Sequence, residues 1–379
     1  MAVFRVLHLV GSSTSQASCE LSELYAGDCI AALRDSDKYE FIIALVTPDG
    51  QWRFPVSLES SAIQAAQPMA IHAAIGVLAQ MRIDIALPQM FCLAGMTHYR
   101  ALLELLRIPY LGNRPLQMAL TADKAKAKAV VSAAGVRVPD AELLSRGEWP
   151  GMLLPAVVKP NAADNSDGIS LVTQASDYQA ALDLAFLHSD SVLVERYIPL
   201  GREVRCAVVE ESGRLRHLPL EEYFVDTVTR PVRTRADKLK RDSNNKLVLA
   251  AKQASQAWTV DNDDPIVKAV WEAASLCHVA LGCEQYSLFD FRIDPEGRPW
   301  FLEAGLYCSF APKSVIVTMM AAAGTPLAEF FDAAVAQVLS TSSSAASPSP
   351  SHASGSIPPV LTALKSTIPK PVASINSPI

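Results

Sequence analysis

The sequence predicts a mixed α/β protein, an alternating strand–helix block followed by α+β blocks, and four observations carry that expectation. Val6-Leu7-His8-Leu9-Val10-Gly11 is an apolar run of strand length, followed by a helical pattern from about Glu20 to Leu33. Strand signals recur at residues 41–46 and 83–87 with helical pattern between them, an alternation that builds a parallel sheet covered on both faces. From Val136-Arg137-Val138-Pro139 onward the strand signals crowd together, at 156–160, 191–195, 203–209 and 215–220, with one helical stretch near 176–188. Finally, Phe289-Asp290-Phe291 and Phe301-Leu302-Glu303 flank the turn Asp294-Pro295-Glu296-Gly297, which reads as a hairpin.

The remaining elements follow in order. A helix before Ile108-Pro109-Tyr110-Leu111-Gly112-Asn113 ends in a sharp turn, and a helix at 121–134 closes at Gly135, a C-cap residue. A helix runs from Pro265 to Leu281, and two more occupy about 313–339. Residues 340–379 are rich in Ser, Pro and Ala and contain no acid, a composition expected to stay disordered. The expected organisation is an N-terminal α/β domain (1–112), a central domain (113–200), a C-terminal domain (201–339) and the tail (340–379).

Half of the 379 residues are hydrophobic, enough for substantial cores. The net charge of -6 argues against nucleic acid or an anionic membrane as the main partner. No apolar run reaches the length of a membrane span, and the start of the chain shows no secretory signal. The seven cysteines stand singly; Cys29, Cys92, Cys206 and Cys277 lie in apolar surroundings, which suits reduced thiols in a cytoplasm.

The hairpin is the most informative feature. Strand side chains alternate faces, so Asp290 and Glu303 can each point into a site while their neighbours pack. Two such carboxylates suit Mg²⁺, although paired acids are also common on edge strands. Val157-Val158-Lys159-Pro160 ends a strand with a lysine, and the loop Asn161-Ala162-Ala163-Asp164-Asn165-Ser166-Asp167-Gly168 follows. Small residues let backbone amides approach phosphate oxygens, but the same residues also make ordinary turns. Val192-Leu193-Val194-Glu195-Arg196-Tyr197-Ile198 leads from a strand into an extended connector, and Gly201-Arg202-Glu203 opens the next strand. Exposed connector backbone can read a purine edge, and a following Glu can hold ribose hydroxyls.

Taken in order, Lys124, Lys159 with its loop, Glu195, Glu203, Asp290 and Glu303 resemble the ATP-grasp ligases, and within them the D-alanine–D-alanine ligase group. The resemblance covers roughly residues 4–335. It implies the ATP-grasp fold, three α/β domains with ATP between two β-sheets, and it implies ATP and Mg²⁺ as cofactors. By resemblance, Lys124 and Lys159 meet the ATP phosphates, and the loop with Asn165, Ser166 and Gly168 closes over them. Glu195 and Ile198 flank the adenine, Glu203 meets the ribose, Asp290 and Glu303 ligate the metal, and Ser314 holds the carboxylate of the incoming amino acid. A homodimer and small-molecule substrates are implied as well.

Several positions depart from the group's pattern. Gly305 replaces a metal-binding Asn, and Leu288 replaces an Arg that stabilises the oxyanion, with Arg292 a candidate substitute. Gly11-Ser12-Ser13-Thr14-Ser15-Gln16-Ala17-Ser18 has no acid for a substrate ammonium, and Gln89-Met90-Phe91-Cys92-Leu93-Ala94 replaces a His-Gly-Gly stretch. ATP positions are kept while first-substrate positions are not. With the segments Leu7–Ser12 and Glu303–Ser314, this is similar to the branch that joins serine or threonine to mycosporine-glycine. The alternatives are a D-alanine–D-alanine ligase, another ATP-grasp amide ligase, or a non-catalytic ATP-binding pseudo-ligase.

Overall fold

The computed structural model describes residues 3–34, 37–163, 167–226, 231–233, 239–241, 247–249 and 255–345. The chain begins with β1 (Phe4–Gly11), α1 (Gln16–Leu33), β2 (Tyr39–Val46), β3 (Trp52–Arg53), α2 (Ser60–Ala65), α3 (Ile71–Gln80) and β4 (Ile85–Pro88). A π-helical turn at Gly95–Tyr99 leads into α4 (Arg100–Leu105). The strands form one sheet in the order β3-β2-β1-β4, with β1 parallel to both neighbours. Burial on both faces explains why β1 is nearly continuously apolar. At its end Gly11 has φ +99°, and a Cβ there would meet the Val46 carbonyl oxygen at 2.0 Å, so the turn into α1 requires glycine. Helix α1 starts four residues before the expected Glu20, because the Ser15 side chain caps it by accepting from the Ser18 N–H.

Next come α5 (Pro115–Ala122) and α6 (Lys124–Ala133). They replace the single helix expected over 121–134. Asp123 breaks the run: its backbone is extended and its side chain accepts from the Lys126 N–H, which makes it the N-cap of α6. Gly135 follows with φ +88°, as the C-cap reading expects. Although sequence order groups them with the central block, both helices pack on the C-terminal sheet, with Met118, Ala127 and Val131 in the same apolar cluster as Val270 and Phe301.

The central strands are β5 (Ala141–Ser145), β6 (Ala156–Pro160), β7 (Ser170–Val172) and β8 (Ser191–Arg196), with α7 (Tyr178–Phe186) before β8. They form an antiparallel sheet in the order β5-β8-β6-β7. β5 had no sequence signal, since only Leu144 of its residues is buried.

The C-terminal part holds β9 (Arg202–Glu211), β10 (Arg214–His217), β11 (Glu221–Tyr223), a two-stranded pair β12 (Leu239–Arg241) and β13 (Leu247–Leu249), β14 (Ala257–Thr259), α8 (Ile266–Ala280), β15 (Tyr286–Ile293), β16 (Pro299–Gly305), α9 (Val315–Ala322) and α10 (Leu327–Ala345). The sheet runs β14-β11-β9-β15-β16, with β10 also paired to β9. One face of this sheet is core. Val204, Cys206, Phe289, Phe291 and Phe301 are fully buried there against α8, α5 and α6, and each phenylalanine contributes about 1.5–3 kcal/mol through burial. The other face carries Glu203, Arg205, Asp290, Arg292 and Glu303.

Two buried side chains join the N-terminal sheet region to the C-terminal one. Asn113 Nδ2 donates to the carbonyls of Tyr286 (2.7 Å) and Leu306 (3.3 Å), while its Oδ1 accepts from the Glu284 N–H. Gln89 Nε2 donates to the Ser309 carbonyl at 2.7 Å, and its Oε1 pairs with His8 Nδ1 at 2.9 Å. Burial pushes His8 down to about 4, so its ring is neutral at pH 7. Gln89, which stands in the altered His-Gly-Gly stretch, is therefore part of the framework.

Helix α10 continues to Ala345, past the Ser340 boundary expected for the tail, and the remainder of that tail lies outside the described residues. Among the described residues no single helix is long and apolar enough to cross a membrane. The bent pair α9–α10 passes the same length and composition test, but Met319, Met320, Phe330 and Phe331 are core residues.

Candidate active site

The central and C-terminal sheets face each other across a cleft. Val157, Lys159 and Glu195 line it from one side, and Glu203, Asp290, Arg292 and Glu303 from the other. A β-bulge shapes its floor. Asp290 is opposite Glu303 in the β15–β16 ladder, but Phe291 is opposite Phe301, so Leu302 is the extra residue. The bulge puts Leu302 and Glu303, consecutive in sequence, both on the cleft.

Lysines supply the positive charge. Glu195 at the end of β8 is buried between two of them: Lys159 Nζ lies 2.9 Å from Oε2 and Lys128 Nζ 3.0 Å from Oε1. Burial pushes the Glu195 carboxyl up, but Lys128 and Lys159 outweigh it and hold it below its ordinary value. Burial also lowers Lys128, to about 8, with Glu195 opposing. Lys128 donates to the Phe301 carbonyl at 3.0 Å, which ties the helix to the hairpin. Sequence reading missed Lys128, although the spacing Lys124-Ala-Lys-Ala-Lys128 put it on the same helix face as Lys124.

Lys124, the first residue of α6, has its Nζ 3.6 Å from Glu303 Oε2 and 2.5 Å from the Ala163 carbonyl. Asn161 latches the helix start to the phosphate-type loop. Its Oδ1 accepts from the Ala125 N–H, its carbonyl accepts from the Lys124 N–H, and its Nδ2 donates to Asp123. Of the expected loop residues, Asn165 and Ser166 lie outside the described residues, while Gly168 has φ +71°.

At the other end Arg292 is turned to Glu203 (3.3 Å), to the Ile198 carbonyl (3.1 Å) and to the Pro231 carbonyl (2.6 Å). Glu203 also meets Arg233 at 3.7 Å. The guanidinium on Asp290 belongs to Arg205, not Arg292: Nε is 2.5 Å from Oδ1 and Nη2 is 3.0 Å from Oδ2. Sequence reading passed over Arg205 because nothing local marks a strand arginine as facing a carboxylate on another strand. Ser314 precedes α9, is buried, and has its Oγ 3.8 Å from Cys308 Sγ.

An aromatic row links α1, the segment after β4 and the chain just beyond β16. Tyr25 on α1 meets Phe91 edge-on at 5.4 Å, and Phe91 meets Tyr307, just beyond β16, at 5.4 Å. Burial pushes the Tyr25 hydroxyl up to about 12, with the charge of Arg205 opposing. The hydroxyls of Ser12 and Thr14 bond to each other, as do those of Ser15 and Ser18, so the serine-rich loop before α1 is internally paired.

The donor set fits Mg²⁺. Asp290 and Glu303 provide two facing carboxylates, and among the described residues no group of three or more His, Cys, Asp or Glu forms a complete cage. A magnesium ion carried on nucleotide phosphates takes one or two carboxylates from the protein and completes its shell with phosphate and water.

A cleft between two antiparallel sheets, with Lys159 and Glu195 on one wall and Asp290 and Glu303 on the other, is chemically suited to nucleotide phosphates and their metal ion. The family model for the D-ala D-ala ligase C-terminus matches residues 131–336, more than half of the chain. A D-alanine–D-alanine ligase of Sinorhizobium fredii is 31% identical over 240 residues, 61% of this chain and 72% of the relative. One of Mycolicibacterium smegmatis is 28% identical over 369 residues, covering 88% of this chain and 96% of the relative. The solved D-alanine–D-alanine ligase of Coxiella burnetii shares the fold, with a TM-score of 0.73 at 19% identity, covering 91% of this chain and 96% of that one. The chain belongs to the D-alanine–D-alanine ligase family and is an ATP-dependent, ADP-forming carbon–nitrogen ligase.

The depressed Lys128 makes a stability prediction. Its folded value of about 8 lies below the ordinary 10.5, so between those values the unfolded chain binds more protons and folding stability rises with pH. Compared with Lys128→Met, the wild type should gain stability as pH rises from 8 to 10, measured by urea unfolding at each pH. A difference that stays flat, or that favours Lys128→Met with rising pH, would show that Lys128 is not held below its ordinary value.

Proposed function

We propose that this ligase joins the amine of serine or threonine to mycosporine-glycine through a phosphorylated intermediate, forming a mycosporine-like amino acid. The observation that carries this reading is the row Tyr25–Phe91–Tyr307, whose last member stands two residues beyond the end of the strand that carries Glu303. Aromatic faces and edges suit a flat conjugated ring. D-Alanine has no ring and brings an ammonium that needs an anionic partner, and the loop from Gly11 to Ser18 contains no acid. Gly305 adds to the case. A Cβ there would have only the Leu288 carbonyl, at 4.0 Å, within reach, so space stays open next to Asp290 and Glu303.

In this reading Lys124 and Lys159 bind the ATP phosphates, and Glu203 and Ile198 face the ribose and base. Mg²⁺ held by Asp290 and Glu303 would neutralise charge on the transferring phosphoryl group. The closed cleft excludes water from the phosphorylated acceptor, and Ser314 with the start of α9 holds the carboxylate of the amino acid. All seven cysteines are free and buried, which supports a reducing, cytoplasmic setting.

The names of the relatives favour a second reading, D-alanine dimerisation, because the M. smegmatis enzyme aligns over nearly its whole length. One experiment separates the two. The protein is incubated with ATP, Mg²⁺ and either mycosporine-glycine plus mixed amino acids or D-alanine alone, and products are read by mass spectrometry with ADP release. An adduct of mycosporine-glycine with serine or threonine supports the first reading. D-Alanyl-D-alanine formed in its place would overturn it.

A further inference from the structure

Arg205 is half-buried on the face of β9 that carries Glu203, in register with Asp290, which is itself in register with Glu303. Its guanidinium grips both oxygens of Asp290 as a fork. A carboxylate held that way has its best lone-pair directions occupied, so a metal ion and Arg205 compete for it. The same guanidinium lies over the Tyr223 ring at 5.4 Å, and its charge reaches the Tyr25 hydroxyl at the aromatic row. Arg205 therefore shares the face that carries Asp290 and Glu303, and the space left by Gly305 opens on the next residue pair of that face, where Leu288 is opposite Gly305.

We propose that Arg205 is a catalytic cation that changes partners. In the empty site it neutralises Asp290. With the Asp290 carboxylate given over to a bound metal ion, the guanidinium would turn to the oxygens of the group being transferred at the acceptor side. In that transfer the bond from the γ-phosphorus to the β,γ-bridging oxygen breaks, the oxygen leaves with ADP, and a new bond joins phosphorus to the acceptor oxygen. The amine then bonds to the carbon bearing that oxygen, inorganic phosphate leaves, and the amine proton goes to solvent. A fork-shaped cation can hold two phosphoryl oxygens in both halves of the sequence. The proposal rests on the metal and phosphate placement given above, but not on the identity of the acceptor.

The test therefore uses no acceptor. Mn²⁺ binding in the presence of ADP is followed by electron paramagnetic resonance, and inorganic phosphate binding at saturating Mg²⁺ and ADP by calorimetry. Arg205→Met should bind Mn²⁺ roughly threefold more tightly than wild type, because a competitor is gone, and should lose about tenfold or more in phosphate affinity. Arg205→Lys keeps the charge without the fork and should retain phosphate affinity to within about fivefold. Asp290→Asn releases the guanidinium, so phosphate binding without metal should rise roughly threefold. If Arg205→Met bound Mn²⁺ more weakly and phosphate as well as wild type, Arg205 would be only a strut for Asp290 and the proposal would fall. Should Arg205→Met not fold, unchanged metal-free phosphate binding in Asp290→Asn overturns it equally. Neither measurement involves mycosporine-glycine or D-alanine, so failure here is separate from failure of the acceptor assay.

Discussion

Glu303→Gln leaves a folded protein whose acceptor-dependent ADP release falls on the order of 10³-fold, about 4 kcal/mol of lost transition-state stabilisation. The amide keeps the size and shape of the carboxylate but not the charge a hard cation needs. The fold survives because Glu303 is a cleft residue of a hairpin whose opposite face is held by Phe289, Phe291 and Phe301. Lys124, 3.6 Å away, keeps a hydrogen bond to the Ala163 carbonyl. Asp290→Asn should behave alike for turnover. The checks are melting temperature and far-ultraviolet circular dichroism for the fold, and coupled ADP release for the rate. Turnover within a few-fold of wild type would refute the metal assignment and with it the phosphoryl-transfer reading of the cleft.

Glu195→Leu is expected to be among the most destabilising single changes in the molecule, costing about 3–5 kcal/mol. It removes the common partner of Lys128 and Lys159 and leaves two ammonium groups close together in a site where their side chains are only 5% and 7% exposed. Repulsion adds to the desolvation of each unpaired charge. Adding Lys128→Met to Glu195→Leu should recover part of the loss, because one buried charge is then gone. Urea midpoints at pH 7 measure both. A loss below about 1 kcal/mol for the single variant would mean that the lysines find water or other partners, and Glu195 would then be free for a direct role at the nucleotide.

The carboxylate hairpin was readable because its signal is local. Phe289 and Phe291 flank Asp290 and put it on the opposite face, and the turn at Asp294–Gly297 sets the pairing, while Glu303 reaches that face only through the bulge. The bulge at Leu302 was not readable, since nothing in Phe301-Leu302-Glu303 says which of two registers the strand takes. The order of Lys124, Lys159, Glu195, Glu203, Asp290 and Glu303 pointed to the family, which the match over residues 131–336 bears out. The mixed α/β architecture agrees as well. Boundaries slipped where one side chain decides them, at Ser15 and Asp123, both caps whose hydrogen bonds cannot be told from those of any other polar residue.

Residue order alone pointed to most of the elements, to the family and to the facing of Asp290, because periodicity and motif spacing are properties of short segments. Tertiary structure decided which charges meet. Lys128 on a helix and Lys159 on a strand converge on Glu195. Arg205 crosses to Asp290, 85 positions away in the chain, and Arg292 goes to Glu203 instead. Tyr25, Phe91 and Tyr307 come from three distant segments. The physical reason is that a charge or ring selects its partner by distance in the packed state, and that distance is set by strand register and sheet stacking, which no single segment encodes.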